Sequence, residues 1–166
     1  VTSQVRAALR NPQSPPPDEP DEALLALARD DLRARFDEHH GGFGDAPKFP
    51  SPHQLMFLLR WWSRTGDRAS LNMVTRTLEE MERGGIHDQL DGGFHRYSTD
   101  SRWHLPHFEK MLYDQALIAL ASAETRQVTG EERFAKLASR TLDYALRRLG
   151  SPEGGFFCSE DADSGG

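Results

Sequence analysis

Apolar residues recur at helical spacing in five segments of the chain. They predict helices over residues 21–38, 52–64, 67–83, 107–128 and 131–149. Asp21 and Ser51 are predicted caps of the first two helices, and Pro52 fits a first helical position, where its missing N–H costs nothing. The second and fourth helices are apolar enough to be buried, whereas the third and fifth are apolar on one side only. Buried and half-buried helices therefore alternate.

The connectors between these helices repeat as well. Thr65-Gly66-Asp67 and Thr129-Gly130-Glu131 are short turns from a buried helix to a half-buried one. Gly-rich loops follow the half-buried helices, at Gly41-Gly42-Phe43, Gly84-Gly85-Ile86 and Gly154-Gly155-Phe156. Such a repeat of helical hairpins predicts an all-α fold, an α/α toroid or an α-solenoid. The Gly-rich loops and the N-termini of the inner helices then share one rim, where sites are usually built.

Two further segments depart from the helical pattern. Residues 94–105 predict a small β-hairpin around Thr99-Asp100-Ser101. Residues 1–10 resemble the end of a helix, and a Pro-rich connector follows as far as Pro20. Because the chain starts without Met and stops within a loop, we expect both ends to be cut. Residues 1–20 are assigned to an upstream region and linker, and residues 21–166 to the helical domain.

Composition narrows the class of protein. Hydrophobic residues at 37% and charged residues at 28% fit a globular domain, and a net charge of -6 offers no basic surface to nucleic acid. The longest apolar stretch, residues 116–121, is far shorter than the roughly 20 residues that span a bilayer, so we expect a cytoplasmic protein without a membrane partner. Cys158 is the single cysteine, which excludes an internal disulfide and a Cys-based zinc site in this segment.

Titratable and aromatic side chains are densest between Gly84 and Asp114. A sugar site needs aromatic faces, polar groups for hydroxyls and a proton donor and acceptor. The candidates for proton transfer are His95, His107, Glu109, Asp114 and Asp88, and those for substrate binding are Arg96, Tyr97, Trp103, Glu160 and Asp161. His107 and Glu109 are predicted at the start of the fourth helix, with Asp114 about two turns deeper.

Structural roles are open for the same residues. Glu109 is equally suited to satisfy a helix N-terminus, and Lys110 and Asp114, four residues apart, favour an ordinary ion pair. His87, His95 and His107 are each suited to brace a loop from a buried position. No metal or other cofactor is expected, because Pro106 interrupts the pair His104 and His107 and the acidic segment 160–164 lacks the glycine and glutamate of a calcium loop.

Four loop segments carry a more specific signal. In chain order they are residues 41–50 (GGFGDAPKFP), 92–100 (GGFHRYSTD), 106–114 (PHFEKMLYD) and 160–164 (EDADS). Together they closely resemble the thioredoxin-domain-containing family of YyaL-like bacterial proteins and spermatogenesis-associated animal homologues. The resemblance implies that residues 21–166 are roughly the first half of an (α/α)6 toroid, similar to N-acylglucosamine 2-epimerases and six-hairpin glycosidases. It also implies a thioredoxin-like domain in the remainder of the protein.

Two functions follow from this reading. The first is carbohydrate binding or processing, with a small-molecule sugar ligand and the chemistry of an epimerase, an isomerase or a glycoside hydrolase. The second is a non-catalytic interaction module that serves the attached thioredoxin-like domain.

Overall fold

The computed structural model describes residues 22–163. Its helices are α1 (Glu22–Arg35), α2 (Pro52–Thr65), α3 (Arg68–Arg83), α4 (Leu112–Thr129) and α5 (Glu132–Tyr144), which continues as a π-helical turn over Ala145–Leu149. Its strands have two residues each: β1 (Tyr97–Ser98), β2 (Pro106–His107), β3 (Lys110–Met111) and β4 (Ser159–Glu160). The expectations for residues 1–20 and for the cap Asp21 lie outside the described residues.

The five predicted helices are present, with one large change of boundary. Helix α4 begins at Leu112 rather than at residue 107, because residues 106–107 and 110–111 are extended and pair with other strands. Pro52 is the first residue of α2, as predicted. The prediction that Ser51 caps this helix is wrong, because its side chain makes no capping hydrogen bond and its backbone is left-handed, with φ 46°.

The two apolar helices lie at the centre of the packing. Helix α2 packs against α1, α3 and α4, and α4 packs in turn against α5. One apolar core joins the layers, and its fully buried members include Leu55, Leu58, Val74, Leu78, Ile118, Ala121, Phe134 and Leu137. Each inner helix passes into its outer partner through a glycine with positive φ, Gly66 or Gly130, whose N–H donates to the last turn. The predicted alternation of inner and outer helices is confirmed.

The loops from outer to inner helices share a repeated turn. In the first loop the N–H of Asp37 donates to the carbonyl of Gly42 (3.0 Å), and the N–H of Gly41 donates back to Asp37 (2.8 Å). The same two bonds join residues 88, 92 and 93 in the second loop, and residues 151, 154 and 155 form a turn in the third loop that is one residue shorter. The turn of the second loop is therefore made by Gly92-Gly93-Phe94 and not by Gly84-Gly85-Ile86, which follows the half-buried helix α3 as predicted. Gly84 instead caps α3.

Short strands join successive rim loops. Strand β1 pairs with β2 as the predicted hairpin, in the register Tyr97 with His107. Lys48 of the first loop forms a bridge with Ser98, and β3 pairs with β4 of the third loop. The rim is thus a connected layer of backbone that covers the starts of α2 and α4.

A buried lysine fixes each of the first two loops. Nζ of Lys48 donates to Asp37 (2.6 Å) and to the carbonyl of Gly41 (2.9 Å), and the side chain is fully buried. In the second loop, Nζ of Lys110 donates to Asp88 (2.7 Å) and to the carbonyl of Gly92 (3.0 Å). We call these two arrangements the lysine anchors. Lys48 lies shortly before Pro52 and Lys110 shortly before Leu112, so each anchor holds the chain close to the start of an inner helix.

Candidate functional site

A cleft of about 270 Å³ opens between the starts of the two inner helices. We call it the α2–α4 cleft, and it is lined by Phe49, Pro50, Ser51, Pro52, His53, Tyr113, Asp114 and Leu117. One wall is formed by residues that come after Lys48 in the chain, and the other by residues that come after Lys110. The cleft therefore forms where the rim layer meets the N-termini of α2 and α4.

Asp114 is the buried acid of this cleft. Its side chain lies in the first turn of α4, and the residue is only 6% exposed. Burial raises the pKa of this carboxyl to about 7, while Arg96 lowers the value and Glu109 raises it. Oδ2 has no hydrogen-bond partner. The expected ion pair with Lys110 is wrong, because Lys110 is held in its own anchor, and the expected depth of two turns is wrong as well.

A charged and aromatic cluster lies beside Asp114. Nη1 of Arg96 donates to Oε2 of Glu109 at 2.8 Å, and Nε2 of His107 lies 4.0 Å from the same oxygen. The His107 ring stacks on Tyr97 with 4.9 Å between centroids, and the Tyr97 ring lies 5.0 Å from that of Phe49 in the cleft. The structure thus brings together four residues that the sequence proposed for the site, together with Asp114.

The positions of His107 and Glu109 differ from the prediction. His107 ends β2, and Glu109 lies between β2 and β3, so neither residue is on a helix. Glu109 does not satisfy a helix N-terminus, because its carboxylate pairs with Arg96. His107 is partly exposed, so it does not brace a loop from a buried position.

His95 is buried in the rim, and Asp88 is half-buried there. Burial works to raise the pKa of Asp88, but the hydrogen bond from Lys110 and two backbone N–H groups outweigh it and lower the pKa to about 2. Both oxygens of Asp88 are therefore engaged by the chain itself. Burial, assisted by Lys110, lowers the pKa of His95 to about 4, so this imidazole is neutral at physiological pH. His95 contacts Phe108 edge-on, and His87 is buried against Phe94.

Trp103 does not reach the surface. The residue is fully buried, its Nε1 donates to the carbonyl of His40 at 2.8 Å, and its ring lies over Lys48 and against Gly42. The prediction that Trp103 offers an aromatic face to a ligand is therefore wrong. It completes the first lysine anchor.

The acidic segment of the third loop divides in two. Glu160 accepts from the hydroxyl of Tyr144 (2.5 Å) and from Arg148 (2.9 Å), so both of its oxygens are engaged within the chain. Asp161 is exposed and accepts only a long bond from the N–H of Asp163 among the bonds of the described residues. Glu160 therefore joins the third loop to α5, and Asp161 stays a proposed binding residue.

Several lining residues were absent from the predicted site. Phe49, Ser51 and His53 surround Pro50 and Pro52 at the start of α2, at the place that Tyr113 and Asp114 occupy on α4. The signal was the hairpin repeat, since equivalent ends of two inner helices must share a rim. Within residues 22–163 there is no cluster of three or more metal-ligating side chains. No helix in this range is long and apolar enough to cross a membrane.

Comparison with known proteins gives close relatives in sequence. No protein-family model matches the chain. Spermatogenesis-associated protein 20 of Homo sapiens is 48% identical over 134 residues, which cover 78% of this chain and 17% of the relative. The Mus musculus protein of the same name shows the same identity and coverage. The chain spans about a sixth of the length of these relatives, and the resemblance predicted from the loop segments is confirmed.

Solved structures give the fold. A sugar epimerase from a ruminal bacterium superposes with a TM-score of 0.68 at 17% identity, over 84% of this chain and 40% of that one. Cellobiose 2-epimerase from Bacillus thermoamylovorans superposes with a TM-score of 0.68 at 15% identity, over 86% of this chain and 42% of that one. A family 76 glycoside hydrolase from a bovine Bacteroides thetaiotaomicron strain superposes with a TM-score of 0.67 at 15% identity, over 92% of this chain and 33% of that one. The predicted all-α fold, part of an (α/α)6 toroid with a small β-hairpin, is confirmed.

Proposed function

Because the aligned part of this chain belongs to the family of spermatogenesis-associated protein 20 and its fold is that of sugar epimerases and glycosidases, we propose that its rim binds or processes a carbohydrate. The observation that carries the proposal is the α2–α4 cleft. Its lining includes one buried carboxyl, that of Asp114, whose Oδ2 has no hydrogen-bond partner, together with the aromatic residues Phe49 and Tyr113. Few convergent polar groups in an otherwise apolar cleft are typical of small-molecule sites.

The proposed chemistry is proton transfer by Asp114. With a pKa of about 7, this carboxyl populates both protonation states near neutral pH, which suits a general acid or base. His107 is the second proposed group, since it lies beside the Arg96–Glu109 pair at the edge of the same region. An epimerase or isomerase must remove and return a proton next to a carbonyl. A glycoside hydrolase instead needs two carboxyl groups across the scissile bond.

The test is proton NMR of the intact protein with a panel of mono- and disaccharides in heavy water. Deuterium that enters beside the sugar carbonyl supports an epimerase or isomerase, and cleavage without exchange supports a hydrolase. Asp114→Asn should abolish either reaction, while Glu124→Gln, near the far end of α4 where the carboxylate pairs with Arg60, should leave it unchanged. Turnover that survives in Asp114→Asn would contradict the role of this residue. If no sugar is turned over and none causes line broadening, the carbohydrate function is contradicted.

A second candidate is a non-catalytic interaction module. It is favoured by an apolar cleft of about 390 Å³ on α4, α5 and the third loop, lined by Leu112, Ala116, Leu142, Ala145, Leu146 and Phe156. Exposed apolar surface of this kind is typical of protein contacts. Under this hypothesis, a saturable protein partner should bind the wild type, lose affinity for Leu146→Glu and be indifferent to sugars. Competition by a sugar would contradict it.

A further inference from the structure

We infer that the α2–α4 cleft selects an uncharged sugar and discriminates against the phosphorylated or carboxylated form of the same sugar. The inference rests on the proposed carbohydrate function and adds the charge class of the ligand. It follows from the charges in and around the cleft, which are taken in turn below.

The lining of the cleft offers little to an anion. Its described lining residues include no lysine and no arginine, and His53 is their single basic side chain. Among these lining residues the one carboxyl group is that of Asp114, which is buried and whose Oδ2 has no hydrogen-bond partner. Sites for phosphate and carboxylate groups are usually built from arginine or lysine. A ligand anion here would meet a carboxyl group instead.

Three cations of the rim each pair with a carboxylate of the chain. Arg96 is bound to Glu109 at 2.8 Å, and Lys48 and Lys110 are buried in the lysine anchors. Recruiting either lysine to a ligand would break the ion pair that this buried lysine makes with the half-buried carboxylate of Asp37 or Asp88, which is unfavourable. The anchors therefore hold their charges away from the ligand.

The helix N-termini at the cleft do not replace these cations. Free N–H groups at a helix start normally attract anions. Helix α2, however, begins with Pro52, which has no N–H, and the N–H of Leu112 at the start of α4 donates to the carbonyl of Cys158 (2.9 Å). Asp114, in the first turn of α4, already occupies the position that an anion would take.

An uncharged sugar fits the same groups. A hydroxyl can donate to the carboxyl of Asp114 when the carboxyl is ionised and accept from it when it is protonated. Phe49 and Tyr113 are exposed aromatic residues on opposite walls, and their rings suit the C–H faces of a sugar. The cleft therefore provides for hydroxyls and C–H groups but not for a formal negative charge.

The experiment compares affinities of the intact protein for a hexose, its 6-phosphate and its uronate by titration calorimetry. The hexose is one that the NMR panel shows to bind. We expect each charged analogue to bind about tenfold more weakly or worse, because like charges in a partly buried site repel. Ser51→Arg, which adds a cation at the edge of the cleft, should raise the affinity for the 6-phosphate. Ser63→Arg, exposed near the far end of α2, should not.

The possible results separate the two proposals. Charged analogues that bind the wild type as tightly as the hexose overturn the charge selectivity and leave the carbohydrate function standing. An unchanged preference in Ser51→Arg also overturns the inference, because its electrostatic basis is then wrong. If no sugar of any charge binds, the carbohydrate function fails and the inference fails with it.

Discussion

At the scale of single residues, Asp114 and the two anchor lysines show how the environment sets the behaviour of a charge. Asp114 is buried without a hydrogen-bond donor for Oδ2, so its charged form is disfavoured and its pKa rises. Lys48 and Lys110 are buried as well, but each is paired with a carboxylate and a carbonyl. The same burial therefore gives the group proposed for proton transfer in one case and a structural contact in the other.

Asp114→Asn should change how stability depends on pH. The pKa of Asp114 rises from 3.8 in the unfolded chain to about 7 in the folded one, so between these values the folded state holds a proton that the unfolded state has lost. The wild type should therefore lose stability relative to Asp114→Asn as the pH rises from about 4 to about 7. The relative loss is at most about 4 kcal/mol. Urea unfolding at a series of pH values measures it.

The quantity to measure is the difference in the free energy of unfolding between the wild type and Asp114→Asn at each pH. His95, whose pKa is lowered to about 4, makes stability fall as the pH falls through part of the same range, and this contribution is common to both. Asp143→Asn, at an exposed position on α5, is the matched control and should run parallel to the wild type. Parallel curves for Asp114→Asn would show that the carboxyl is not perturbed.

Lys48→Met should strongly destabilise the fold. The substitution keeps the length of the side chain but leaves Asp37 without its cation and the carbonyls of Gly41 and Ser101 without their donor. We expect a loss of about 3 kcal/mol or more in the free energy of unfolding. Arg60→Met, which breaks the exposed pair with Glu124, should cost less than about 1 kcal/mol. Equal shifts of the two denaturation midpoints would contradict the importance of the anchor.

At the scale of elements, the rim loops repeat a turn that the helical pattern alone did not locate. The sequence contains its signature, an acid followed four residues later by Gly-Gly-Phe, at Asp37 and at Asp88. The bonds between Asp88, Gly92 and Gly93 identify the second copy. The nearer pair Gly84-Gly85 follows α3 more directly, which is why the pattern of helices favoured it. Only the backbone hydrogen bonds distinguish a helix cap from the repeated turn.

Two neighbouring glycines test the packing of the first loop. Gly42 and Gly44 have nearly the same backbone angle, φ +77° and +78°. An alanine at either site therefore has a similar backbone strain energy. A Cβ on Gly42 would lie 2.5 Å from the Trp103 ring, whereas a Cβ on Gly44 meets nothing within 4 Å. Gly42→Ala should therefore cost about 1–3 kcal/mol more than Gly44→Ala. Thermal or urea unfolding of both variants decides this, and equal losses would refute the close contact with Trp103.

The boundary of α4 shows the limit of local patterns. Met111, Leu112 and Tyr113 continue the apolar character of the helix towards its N-terminus, so periodicity alone extends it to residue 107. The backbone of residues 106–107 and 110–111 is instead extended, because β1 and β4 lie alongside and supply hydrogen bonds. The partners of these bonds are distant in sequence. The site residues His107 and Glu109 were therefore correctly grouped but placed on the wrong element.

At the scale of the whole molecule, the three rim turns differ in how far their phenylalanine and glycine residues are buried by other parts of the chain. Phe43 and Phe94 are buried, whereas Phe156, at the same place in the third turn, is exposed. Gly41 packs against α3 and Gly92 against α5, but Gly154 meets nothing within 4 Å among the described residues. The uncovered turn borders the apolar cleft of α4 and α5. This face is thus the one on which the hairpin repeat provides no neighbour within residues 22–163.

The chain should associate through this face as its concentration rises. Leu146 is 63% exposed in the apolar cleft, so Leu146→Glu should weaken association without lowering stability by more than about 1 kcal/mol. Leu90 is 99% exposed on the second loop, away from the cleft, and Leu90→Glu is the matched control that should leave association unchanged. Sedimentation velocity over a range of concentrations measures the effect. A monomer at all concentrations would contradict the prediction.

The sequence by itself determined the number and order of helices, their alternation between inner and outer layers, the rim as the place of the loops and the family resemblance. These features depend on periodicity and on short motifs, which are local. Only the tertiary structure decided that Lys110 pairs with Asp88, that Trp103 is buried and that Asp114 keeps a free oxygen in a cleft. The physical reason is the same for all three features. Burial and the choice of a hydrogen-bond partner depend on residues that folding brings together from distant parts of the chain.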